Sequence, residues 1–107
     1  MAIALKDLNA VDDNMTLSVD EGHAGGSFSL QYPAGGTGTI IVQATLDEIT
    51  WEDLCFIQSN VTAQTVVKTA AAVGLYTGDI PVCKKIRARK SASAGACICG
   101  FGISSSY

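Results

Sequence analysis

Histidine is almost missing from this chain. His23 is the single imidazole among 107 residues, and it lies in the Gly-rich stretch D-E-G-H-A-G-G. Imidazole is the one side chain whose ordinary pKa lies near neutrality, so a Ser–His or Cys–His couple would have to use His23. No G-x-S-x-G elbow and no phosphate-cradling loop appears. The glycines of A-G-G-T-G-T at 34–39 precede a strand pattern rather than a helix, so they read as a turn. Catalysis is therefore not expected, and neither is a cofactor.

Other shortages narrow the field further. Aromatic residues make up 7% of the chain, with one tryptophan, and charged residues only 16%. No apolar run approaches the roughly 18 residues of a membrane-spanning helix, so no membrane partner is expected. An acid stands at position 7 with no long apolar segment before it, which predicts synthesis in the cytosol without an export leader. The four cysteines are Cys55, Cys83, Cys97 and Cys99. They lack both C-x-x-C spacing and histidine partners, so no metal is expected. In a reducing compartment they read as thiols. An oxidising setting leaves a pairing such as Cys55–Cys83 open.

What is abundant is apolar. Hydrophobic residues reach 48%. A chain this short forms one domain with a folded surface of about 5,700 Å², and part of its apolar surface is expected to meet a partner or another copy. Charge is split along the chain. Residues 1–53 hold nine acids and one base, whereas residues 54–107 hold one acid and six bases, for a net −3. An acidic balance with one basic segment does not favour nucleic acid.

Alternation with period two dominates: Met15, Leu17, Val19; Phe28, Leu30, Tyr32; Ile40, Val42, Ala44, Leu46. This is the pattern of half-buried antiparallel strands. Turn chemistry separates them at 20–26, 33–38 and 47–50. Further strands are predicted at about 51–58, 61–69, 74–80, 83–91 and 96–103, with K-T-A-A-A-V at 68–73 the only fragment suited to a helix. The expected fold is all-β: an antiparallel β-sandwich or jelly roll of about eight short strands over residues 15–107. Residues 1–14 are expected to form an N-terminal arm or edge segment.

Two clusters could carry function. The corner A-T-L-D-E-I-T-W-E-D-L at 44–54 gathers Asp47, Glu48, Glu52 and Asp53 around Trp51. It has no calcium-loop spacing, so it is expected to be a solvated bend, with the Trp51 ring filling the space between sheets. The run C-K-K-I-R-A-R-K at 83–90 would turn Ile86 and Ala88 inward and set Lys85, Arg87 and Arg89 in a cationic stripe outside. Such a stripe suits a carboxylate-bearing partner, or else guards an edge or is neutralised by acids on neighbouring strands.

The segments G-T-G-T-I-I-V-Q-A-T-L-D-E-I-T-W-E-D-L and G-L-Y-T-G-D-I-P-V-C-K-K-I-R-A-R-K-S-A-S-A-G-A-C-I-C-G-F-G-I-S resemble a β-sandwich module of bacteriophage virion proteins. The residues that carry the resemblance are Asp47, Thr50, Trp51, Gly74, Leu75, Tyr76, Lys84, Ile86, Arg87 and Arg89, within roughly 37–107. In that pattern the acidic turn is Asp-Gly; here it is Asp47-Glu48, which leaves the turn type open. The resemblance implies a non-enzymatic virion component: a capsid decoration (cement) protein, or a small head-fibre or tail subunit. Its partners would be the major capsid protein or other virion proteins, and it would assemble as a dimer or trimer. Contact is expected through Lys85, Arg87 and Arg89, and through Ile3, Leu5 and Leu8 of the first segment. The rival expectation is a carbohydrate-binding module for host recognition, with Tyr76 and Tyr107 as its exposed aromatics.

Overall fold

The computed structural model describes residues 2–19, 26–62 and 64–104. His23, in the turn expected at 20–26, and Tyr107 lie outside the described residues. Among the described residues, ten strands form two antiparallel sheets: β1 Ala2–Asp7, β2 Asn14–Ser18, β3 Ser27–Tyr32, β4 Thr39–Thr45, β5 Glu52–Asp53, β6 Phe56–Gln58, β7 Val66–Val67, β8 Gly74–Asp79, β9 Lys85–Ala92 and β10 Ile98–Ser104. One sheet runs β1-β10-β3-β8-β6-β7 and the other β2-β9-β4-β5. The quartets 1-10-3-8 and 2-9-4-5 are a jelly roll, eight strands rolled so that the first pairs with the last. The short β6–β7 pair extends the first sheet.

The alternation read from the sequence becomes the core. Phe28, Leu30 and Tyr32 of β3 point inward, as do Ile40 and Val42 of β4, Ile86 and Ala88 of β9, and Cys99, Phe101 and Ile103 of β10. Phe28 packs edge-on against Phe56 at 6.2 Å between ring centres and lies 6.1 Å from Phe101; Phe56 meets Tyr76 at 5.6 Å. Such geometries let the positive ring edge face a negative ring face. Cys97 and Cys99 share the buried face, with sulfurs 3.4 Å apart. Burial, then the neighbouring Cys97, pushes the Cys99 thiol up to about 12. The accessible surface is 5622 Å², the size expected for a folded chain of this length.

Four expectations need correction. The segment 51–58 is not one strand: β5 belongs to the four-stranded sheet and β6 to the six-stranded one, and the chain crosses between layers at Leu54–Cys55. Among the described residues of 61–69, only Val66–Val67 is strand. The alanine run at 68–73 is not helical: Ala70 bridges Ile40 in both hydrogen-bond directions at 2.8 Å and is fully buried, because a small side chain fits against the roll there. Tyr76 is buried, and its hydroxyl donates to the Ala72 carbonyl at 2.8 Å.

Candidate interaction surface

The two sheets present unlike outer faces, and the roll itself explains why. Rolling sets each late strand beside early ones, so basic β9 lies between β2 and β4, both from the acidic half of the chain. Lys85 and Lys84 both reach Glu48, at 2.6 and 3.1 Å. Arg89 is paired with Asp12. Arg87 donates from Nε and Nη2 to Oε1 of Gln43 at 3.0 and 2.8 Å, and Gln43 in turn donates to Asp53 at 2.8 Å. The Arg87 guanidinium lies 3.9 Å from the centre of the Trp51 ring. Desolvation, then the neighbouring Arg89, lowers the Arg87 pKa. The stripe of Lys85, Arg87 and Arg89 is thus brought together as expected, but each cation is already engaged within the chain. It sits on a central strand, so it guards no edge.

Trp51 is corrected with it. Its ring lies half-buried on the outer face beneath Arg87, not between the sheets. An indole stacked by a guanidinium tolerates that position, because the cation is attracted to the ring face. The acidic corner is a bend. Asp47 accepts from the Thr50 and Ile49 amides at 2.8 and 2.9 Å, which lowers its pKa. Glu48 takes the left-handed conformation, φ 63°, in the place where the resembling pattern has glycine. Among the described residues, no three His, Cys, Asp or Glu side chains gather as a metal site would need.

Lys90 escaped the sequence reading. Alternation places it on the inward side with Ile86 and Ala88, and it is fully buried. Its ammonium donates to the carbonyls of Gly95, Thr37 and Asn9 at 2.5, 2.7 and 3.3 Å. One cation therefore ties together the three turns at that end of the sandwich. The signal was present: a lysine in phase with two core residues.

The six-stranded sheet is different. Its register aligns Ile3, Gly102, Ser29, Thr77, Ile57 and Val66 in one row across all six strands. A second row holds Leu5, Gly100, Gln31 and Leu75. Neither row contains a charge. Ile3 is 75% and Leu5 73% exposed, and Val66 is also open to solvent. Leu8 does not join them. It is fully buried, and its amide donates to the Cys97 carbonyl at 2.9 Å, so it anchors the end of β1 and is removed from the contact set.

The fold has a solved counterpart. It is similar to the crystal structure of the SPBc2 prophage-derived protein YomS, with a TM-score of 0.57 and 15% identity over 96% of this chain and 94% of that one. At that identity the likeness shows the fold alone. No family model matches the chain, and no curated protein matches it in sequence.

A smaller apolar groove of about 430 Å³ lies at the end opposite Lys90, lined by Leu46, Leu54, Pro81, Val82 and Cys83. Two of its polar neighbours, Thr45 and Asp47, are spent on the bend. The described aromatics form no platform: Phe28, Phe56, Phe101, Tyr32 and Tyr76 are buried, and the Trp51 ring faces Arg87.

Proposed function

We propose that this chain is a structural component of a phage virion, a decoration protein that binds the assembled capsid and performs no catalysis. The observation that carries the proposal is the contrast between the outer faces. One closes its charges on itself; the other spreads two uncharged rows across the six-stranded sheet. Two adjacent uncharged rows suit a repeated protein lattice better than a soluble charged ligand. The fold likeness to a prophage-derived protein supports the phage setting. The buried aromatics weigh against a carbohydrate site.

Binding only to the assembled shell stabilises it by mass action, and many copies repeat the gain. The contact is assigned to the uncharged rows rather than to Lys85, Arg87 and Arg89. The test is co-sedimentation with undecorated shells of the encoding phage. The wild-type chain is expected to pellet with shells. Thr77→Lys, which sets a charge in the middle of the first row, should weaken binding about tenfold or more, since an unpaired charge at an interface costs more than 1.4 kcal/mol. Absence of the wild-type chain from the pellet, or equal binding by Thr77→Lys, overturns the reading.

A further inference from the structure

The four outer strands of the sandwich are not equally protected. An edge strand exposes unpaired amides and carbonyls, and soluble proteins blunt such edges with short strands, charges or bulges. Edge strands β5 and β7 are two residues long, and β5 is Glu52–Asp53. Edge strand β2 carries Asn14, whose carbonyl is already capped by the Lys6 ammonium at 3.1 Å. Among the described residues, strand β1 is the least protected of the four. It is six residues long, holds no proline or glycine, and pairs with β10 without a bulge. Its two charges are spent within the chain, Lys6 on the Asn14 carbonyl of β2 and Asp7 on the Cys97 amide at 2.8 Å, and its outward apolar side chains are Ile3 and Leu5.

We infer that β1 is the pairing edge for a second copy of this chain, which adds its own β1 antiparallel about a two-fold axis perpendicular to the sheet. That axis keeps the outer faces on one side. Directly opposed residues must then have the same face, so their numbers sum to an even value. A sum of ten sets Asp7 against Ile3. A sum of six pairs only three residues. A sum of eight pairs Ala2 through Lys6, sets Ala4 on the axis, and places Ile3 of each copy against Leu5 of the other. Four apolar side chains then close over the junction, and the uncharged rows of both copies continue into one surface. The strip is one strand long, about 17–20 Å. That is well short of a standard interface, so the dissociation constant is on the order of 100 μM, and the paired fraction grows wherever copies are concentrated. This pairing stands on the fold alone and does not depend on shell binding.

The test uses the full chain in solution. Sedimentation equilibrium is expected to show a monomer–dimer equilibrium. Leu5→Lys should weaken it about tenfold or more while leaving the far-ultraviolet circular dichroism unchanged. In a Cys55→Ser background, Ile3→Cys and Leu5→Cys proteins carrying different mass tags are mixed and mildly oxidised. Opposed residues lie within disulfide reach, so the mixed cross-link should exceed either self-cross-link. A chain that stays monomeric at about 1 mM, or self-cross-linking of Leu5→Cys equal to the mixed product, overturns the pairing. Neither result bears on sedimentation with shells, so the two readings fail separately.

Discussion

A single buried ammonium organises one end of this molecule. Lys90 makes three hydrogen bonds to backbone carbonyls from three different turns. An ammonium has three donors, so the site is saturated. Lys90→Met keeps the bulk but leaves the Gly95 and Thr37 carbonyls without their ammonium donor, while the Asn9 carbonyl keeps the Gly95 amide at 2.9 Å. The expected loss is about 2 kcal/mol or more, read as a shift of the urea midpoint. An unchanged midpoint would mean that the turns hold without the cation. At the opposite end the carboxylates titrate. Asp47 lies below its ordinary 3.8, through the amides of Thr50 and Ile49 first. Glu48 lies below its ordinary 4.5, through Lys85 and then Lys84. Folded values below the unfolded ones give stability that is complete above about pH 4.5 and lost as pH falls through the depressed values. Denaturation between pH 7 and pH 2.5 should therefore show a fall confined to the acid side. Asp47→Asn, which keeps an acceptor for both amides, should flatten part of that fall.

At the scale of elements, Arg87 of β9 reaches past β4 to the Trp51 ring just before β5. Arg87→Ala removes the stacked guanidinium and two hydrogen bonds to Gln43. The expected cost is about 1–2 kcal/mol, with a red shift in the emission of Trp51 as water reaches the ring. An emission that does not move would return the indole to the interior. The strands that the sequence made legible through alternation are β2, β3, β4, β9 and β10. Their period is a property of single residues on a pleated surface. The break within 51–58 was hidden because Glu52–Asp53 and Phe56–Gln58 differ only in which sheet accepts them, and that depends on β4 and β8 being in place. Trp51 was misplaced for a related reason. An aromatic before a strand is usually core, and only the arrival of Arg87 from β9 makes the outside favourable. Lys90 was legible and overlooked; its phase with Ile86 and Ala88 was in plain view.

For the whole molecule, the topology turns a lopsided sequence into two unlike surfaces. Strands from the acidic half flank the basic strand, so charge that looked like a docking stripe is consumed in Glu48–Lys85 and Asp12–Arg89. No local pattern reports that, since the partners are 37 or more residues apart. The fold class followed from alternation and turn spacing. The location of the surface did not, because it required knowing which rows align across six strands. Ile3 and Leu5 remain from the expected contact set; Leu8 belongs to the core. The remaining face carries two rows without charge, bounded by Asp7 and Asp79 in the rows beyond them, and contact with the shell is assigned to those uncharged rows. Electrostatic contacts weaken as salt screens them, whereas apolar and neutral polar contacts do not. The most direct test is therefore the affinity of the wild-type chain for undecorated shells between roughly 50 and 500 mM sodium chloride. The account predicts an affinity that holds or rises slightly across that range. A steep fall with salt would return the contact to Lys85, Arg87 and Arg89 and contradict it.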